Sequence, residues 1–217
     1  MRLFPAKIPQ FIKRIFPNYV WDFSSKGKTI YLTFDDGPTP EITEWTLDML
    51  KQYNAKATFF CIGNNVAKHP EIFQLLLKEG HSIGNHTQDH VKGWSTSTEK
   101  YIDNVIKAET IINKALVNSQ YELSLFRPPF GQIKKTQGKA LARRGYKVIM
   151  WSVVAFDWDN KISRERSLKN VINAASEKNN IIIFHDSVKA SRNMTYALPK
   201  VLAHFSKKGY TFKAIDA

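Results

Sequence analysis

A chain of 217 residues, 43% apolar and 24% charged, is long enough for one domain with a sizeable core, and its composition excludes fibrous and disordered classes. Its 32 Lys and Arg against 19 Asp and Glu give a net charge of +13. Such an excess favours an anionic partner: an envelope polymer, a membrane surface or a nucleic acid.

The first 28 residues are expected to form an N-terminal extension packed on a domain spanning 29–217. Phe11, Ile12, Ile15 and Phe16 alternate with Lys13 and Arg14, a pattern suited to peripheral contact with a membrane or envelope. Pro5, Pro9 and Pro17 break the segment and favour packing on the domain. No apolar run has the length of a signal peptide or a membrane span, so the expected location is cytoplasmic or peripheral to the envelope.

From residue 29 onward, short β-rich runs alternate with stretches of helical period. Strands are expected over 29–34, 57–62, 82–84, 125–126, 147–153, 180–184 and 210–215. Helices are expected over 41–53, 71–78, 98–116, 137–143, 164–176 and 195–207. Gly80, Gly145 and Gly209 stop three of them. Strands separated by helices imply right-handed βαβ units and a parallel α/β sheet, either closed into a barrel or open. The only cysteine, Cys61, lies in the apolar run 57–62 and is expected as a buried small hydrophobe.

Polar residues gather where the expected strands end. Asp35, Asp36, His86, Arg127, Asp157 and His185 each follow such a run, and sites in parallel α/β folds form at the carboxyl ends of strands. In Thr33-Phe34-Asp35-Asp36-Gly37-Pro38, two carboxylates end a buried strand, which is costly unless a metal or a cation compensates. One of the two can bind a metal and the other act as a base. His86 and His90, four apart, are expected on one face of a helical turn. With Asp36 they make a set of two imidazoles and one carboxylate that leaves positions open on a divalent ion, as in catalytic zinc and some iron sites. In Arg127-Pro128-Pro129-Phe130-Gly131, the Arg can pair with Asp35, and the Phe130 N–H can face an oxyanion. His185, ending an apolar strand, suits a general acid oriented by a carboxylate, with Asp157 expected at one ring nitrogen. Trp158 and Phe184 are expected to wall a pocket for an acetyl methyl.

Taken in order, these five segments resemble the polysaccharide deacetylase family, the NodB-homology domain of carbohydrate esterase family 4, over residues 29–212. The resemblance implies a distorted (β/α)7 barrel with parallel strands. It also implies one divalent metal, most often zinc, with Co2+, Ni2+, Mn2+ or Fe2+ as alternatives. The implied reaction is removal of an acetyl group from an N-acetylglucosamine unit of a glycan, such as a chitooligosaccharide or peptidoglycan. By motif position Asp35 is the base, Asp36, His86 and His90 are the metal ligands, Arg127 is the partner of Asp35, and His185 is the acid. The partner is then an N-acetylated glycan and not a nucleic acid. One departure is Val154, which stands where the family often has the first Asp of Asp-x-x-Asp-Trp. Two other readings are compatible with the motifs: a non-catalytic glycan binder, and a hydrolase of a cyclic amide or acetyl ester.

Overall fold

A computed structural model describes residues 5–23, 27–116, 122–178 and 180–216. Residues 1–4 and 24–26 of the expected extension lie outside the described residues. In chain order the elements are α1 (Gln10–Ile15), β1 (Thr29–Asp35), α2 (Ile42–Gln52), β2 (Ala57–Cys61), α3 (Gly63–Lys68), α4 (Pro70–Lys78), β3 (Ser82–Asn85) and α5 (Thr98–Ala115). They continue with β4 (Leu125–Phe126), α6 (Lys135–Arg143), β5 (Lys147–Val148), β6 (Val153–Val154), α7 (Arg164–Ala174), β7 (Ile181–His185), α8 (Ser191–Lys207) and β8 (Thr211–Phe212). Short 3-10 turns occupy Gly93–Ser95 and Pro129–Gly131.

Seven strands run in the order β5-β4-β3-β2-β1-β7-β6, and β8 joins β1 off that path. Every strand pair is parallel. The sheet curls into a distorted (β/α)7-like barrel. The expected strand over 147–153 is two strands, β5 and β6, which lie at opposite ends of this order. Residues between them cross the gap. Arg127 takes over part of their bonding: its Nε donates to the Ile149 carbonyl at 3.1 Å and its Nη2 to the Met150 carbonyl at 2.8 Å. The N-terminal segment covers the same crossing, with Lys7 bridged to Val153 and Val20 to Ile149.

The side-chain period of two along a strand sorts residues between the two faces of the curled sheet. Ile30, Leu32 and Phe34 of β1, with Ile182 and Phe184 of β7, join the core beneath α2, α4, α7 and α8. The alternate residues Thr33, Asp35 and His185 face the barrel interior. Deeper in that interior lie Phe60, Leu125, Ile149, Ile181 and Ile215. Ile8, Ile12, Phe16 and Tyr19 of the N-terminal segment pack on a third cluster around Tyr101, Phe126 and Tyr146. Cys61 is buried as a free thiol, as its apolar context suggests. Among the described residues, no helix is long and apolar enough to cross a membrane.

Candidate active site

The carboxyl ends of β1, β3, β4 and β7 meet at one mouth. Asp35 is the last residue of β1, in register with His185, the last residue of β7. Asp36 then turns at φ 83°, a left-handed conformation that is unusual for a side-chain-bearing residue. Its neighbours hold it there. Asp186 donates its backbone N–H to the Asp35 carbonyl (3.1 Å), and its Oδ1 accepts the Gly37 N–H (3.1 Å). Asn65 Nδ2 donates to the Asp36 carbonyl at 2.7 Å, and the Ile62 N–H donates to the Gly37 carbonyl at 3.0 Å. A Cβ on Gly37 would lie 2.0 Å from Asp186 Oδ2, so any side chain there would displace that carboxylate.

The two histidines are not on a helix. Residues after Asn85 form an irregular loop in which Thr87 and His90 both have positive φ, at 66° and 54°. The cause is side-chain bonding that competes with helical backbone bonds. Asn85 Oδ1 accepts the Thr87 N–H at 2.8 Å, and Asn104 Oδ1 accepts those of Gln88 and Asp89 at 2.9 and 3.0 Å. The loop nevertheless brings the rings together, with centroids 5.1 Å apart.

Asp36, His86 and His90 offer one ligand atom each, all within 4.8 Å of one another. Asp36 Oδ1 stands 3.3 Å from His90 Nε2 and 3.7 Å from His86 Nε2. Donors about 2.1 Å from a tetrahedral ion stand roughly 3.4 Å apart, so the spacing suits a small divalent cation. Asp36 Oδ1 is also buried without a hydrogen-bond partner, an expensive state that a cation would relieve. His86 Nδ1 lies 2.8 Å from the Arg127 carbonyl. A proton on Nδ1 donates there and leaves the Nε2 lone pair facing Asp36. Burial pushes the His86 pKa down to about 3, with His90 and Arg127 adding to the fall, against the opposing pull of Asp36 and of the hydrogen bond to the Arg127 carbonyl. Burial also lowers that of His90. Both imidazoles are therefore neutral, as ligation requires.

Arg127, fully buried, donates from Nη1 to Asp35 Oδ1 at 2.8 Å and to Thr33 Oγ1 at 2.6 Å. Its guanidinium lies 4.1 Å over the Phe60 ring. The second oxygen, Asp35 Oδ2, is 3.8 Å from His86 Nε2. Across the mouth, buried Asp157 holds His185 twice, accepting its backbone N–H at 2.7 Å and facing Nδ1 at 3.0 Å. That leaves the Nε2 atom of His185 for other work. Asp186 does not touch the ring; its carboxylate is used by Gly37 and by Thr43 Oγ1 at 2.5 Å. Burial lifts the Asp186 pKa to about 7.

Phe130, at φ 59°, sets its exposed ring 4.5 Å from that of His90, the two planes tilted by 52°. Trp158 lies edge-on to His185 at 4.7 Å. Phe184 does not reach the mouth: it is fully buried and stacks on Phe34 at 6.1 Å, because it alternates with His185 along β7. Val154 is buried in β6, with its N–H bonded to the Ala6 carbonyl. A cleft of about 360 Å3, lined by Asp36, His90, Asn65, His69, Ser187 and Val188 among others, opens beside the cluster. Asn65, Asn85, Asn104 and Thr43 lie outside the five motifs. Polar side chains at bends carry no periodic signal, and their partners lie far away in the chain.

A model of the polysaccharide deacetylase family matches residues 23–149. A peptidoglycan-N-acetylglucosamine deacetylase of Bacillus cereus is 35% identical over 198 residues, covering 90% of this chain and 90% of its own. The peptidoglycan-N-acetylmuramic acid deacetylase PdaA of Bacillus subtilis is 33% identical over 195 residues, covering 89% of this chain and 72% of its own. A crystal structure of the Bc1960 peptidoglycan N-acetylglucosamine deacetylase superposes with a TM-score of 0.86 at 31% identity, covering 96% of this chain and 95% of that one. The chain belongs to the polysaccharide deacetylase family, and it is a metal-dependent hydrolase.

Proposed function

We propose that this protein removes the acetyl group from N-acetylglucosamine units of peptidoglycan, with one zinc ion held by Asp36, His86 and His90. The observation that carries the reading is the convergence, at one barrel mouth, of a His-His-Asp cluster with two differently paired groups, Asp35 on Arg127 and His185 on Asp157. Relatives that act on peptidoglycan support the substrate class.

When bound, the ion supplies Lewis-acid chemistry, activating a water and polarising the acetamide carbonyl. Asp35 takes the proton of the attacking water through Oδ2, while Arg127 fixes Oδ1. The Phe130 N–H is the candidate donor to the developing oxyanion. His185 Nε2 protonates the leaving amine, so acetate departs and a free amino sugar remains. Trp158 and the Phe130 ring close the two sides of the mouth.

Acetate release from peptidoglycan, chitotetraose and acetylxylan tests this reading. The expected result is release from peptidoglycan, with mass spectrometry of the digested wall placing the free amine on glucosamine. Amines on muramic acid instead would transfer the specificity to that sugar. Release from acetylxylan alone would replace the amidase reading with an esterase.

A further inference from the structure

Two stretches of the chain carry much of its positive charge. Residues 134–147 hold six Lys or Arg and no Asp or Glu, and residues 1–23 hold four against the single Asp22, which the buried Lys13 engages. On α6, Lys135, Lys139 and Arg143 stand four residues apart and so share one face, and all three are exposed. Gln137, Gly138 and Leu141 turn inward instead.

The N-terminal segment lies along the same side of the molecule. Ile12 of α1 and the following Phe16 pack on the cluster that contains Ile133 and Leu141. Phe16 stacks on Tyr19 with ring centroids 5.8 Å apart, and Tyr19 closes on α6 at Gly138, where a Cβ would clash with its ring and hydroxyl. Gly138 adjoins Lys139 and stands one turn from Lys135, so the segment runs beside the basic stripe. With Ile12 and Phe16 turned inward, Phe11 and Ile15 share the outer face of α1, four residues apart and 61% and 57% exposed. Arg14, beside Ile15, is exposed as well. Apolar and cationic side chains are thus set side by side on one surface. A soluble polyanion would meet the cations but gain nothing from Phe11 and Ile15. An uncharged apolar partner would gain nothing from the stripe. A bilayer with anionic headgroups uses both: phosphates meet Lys and Arg, and the acyl boundary beneath them takes the apolar side chains.

We propose that α1 and the basic face of α6 form a docking surface for a membrane carrying anionic lipids, with Phe11 and Ile15 entering the interface. The surface includes no residue of the Asp36, His86 and His90 cluster, and the inference stands independently of the glycan reading. Its test is co-sedimentation of the full chain with vesicles of phosphatidylcholine alone and of phosphatidylcholine mixed with phosphatidylglycerol. The chain should bind the mixed vesicles and not the zwitterionic ones. A Phe11→Ser, Ile15→Ser double variant should partition roughly tenfold more weakly or worse, and Phe11→Leu should retain most of the binding. Replacing Lys135, Lys139 and Arg143 by Gln should weaken binding roughly fivefold per charge removed. Urea midpoints equal to that of the wild type show that the variants are folded. A wild type that binds neither vesicle, or a folded double Ser variant that binds as the wild type does, would overturn the proposal. Binding to soluble polyphosphate that survives in the double Ser variant, without vesicle binding, would reassign the basic face to a soluble polyanion. By light scattering, a wild-type dimer that the double Ser variant splits, again without vesicle binding, would assign the surface to self-contact and end the proposal.

Discussion

The charge of His185 is decided by opposing effects at one residue. Burial alone would lower its pKa, but the Asp157 carboxylate at 3.0 Å, with Asp36 and Asp35 beyond it, raises it to about 9. A cation bound beside Asp36 offsets part of that rise. The sign follows: the imidazolium is present below its raised pKa and is lost as pH climbs through it. Asp157→Asn removes the largest favourable charge and leaves burial in control, so the acid form disappears at lower pH. The high-pH limb of the kcat profile should move down by roughly one to two units. Val154→Ala, in the buried β6 strand, should leave that limb in place. A limb unmoved in Asp157→Asn would show that another group donates the proton. The pairing of Asp157 with His185 was legible in the sequence, since each closes an apolar run at the same sheet edge. The second clasp, the His185 backbone N–H on Asp157 Oδ2, was not, because backbone direction at a loop has no residue code.

At the scale of elements, β1 carries the site because β7, α2 and α3 hold its last turn. Asp186 ties that turn to β7, Thr43 of α2 shares the same carboxylate, and Asn65 of α3 holds the Asp36 carbonyl. Gly37→Ala would force a Cβ to within 2.0 Å of Asp186 Oδ2. The variant should lose about 1 to 3 kcal/mol of stability, read by urea unfolding, and bind metal more weakly. A fully stable variant with unchanged metal affinity would show that the clasp does not position Asp36. The strongly periodic strands and helices were readable from apolar spacing, and most fall within a few residues of expectation. Others were not, α1 (Gln10–Ile15) in the proline-broken N-terminal segment among them. Gly63–Lys68 is a short helix with little apolar period, and it forms where the Ile62 carbonyl can accept the Asn65 and Val66 N–H groups. The His86–His90 segment looked helical by spacing, but Asn85 and Asn104 captured its amides. The run 147–153 looked like one strand, but the Arg127 guanidinium binds two of its carbonyls where it crosses the barrel gap.

For the whole molecule, the parallel barrel puts every strand end on one face, so motifs from all along the chain converge without long loops. The net charge of +13 acts at this scale and not through any one contact. Long-range attraction to an anionic wall is screened by salt. KM for intact peptidoglycan carrying anionic groups should therefore rise as ionic strength increases, while KM for neutral chitotetraose stays nearly constant. Equal salt dependence for both substrates would deny the basic surface a part in substrate capture. Whether Asp36, His86 and His90 hold the one ion on which turnover depends is decided by metal titration of chelator-treated protein while acetate release is followed. No acetate should be released without metal, and recovery should saturate at about one equivalent of zinc. Asp35→Asn should bind the same equivalent yet turn over roughly two or more orders of magnitude more slowly. Full activity in the chelated protein, or one equivalent of metal retained by a His86→Ala, His90→Ala double variant, would contradict this assignment.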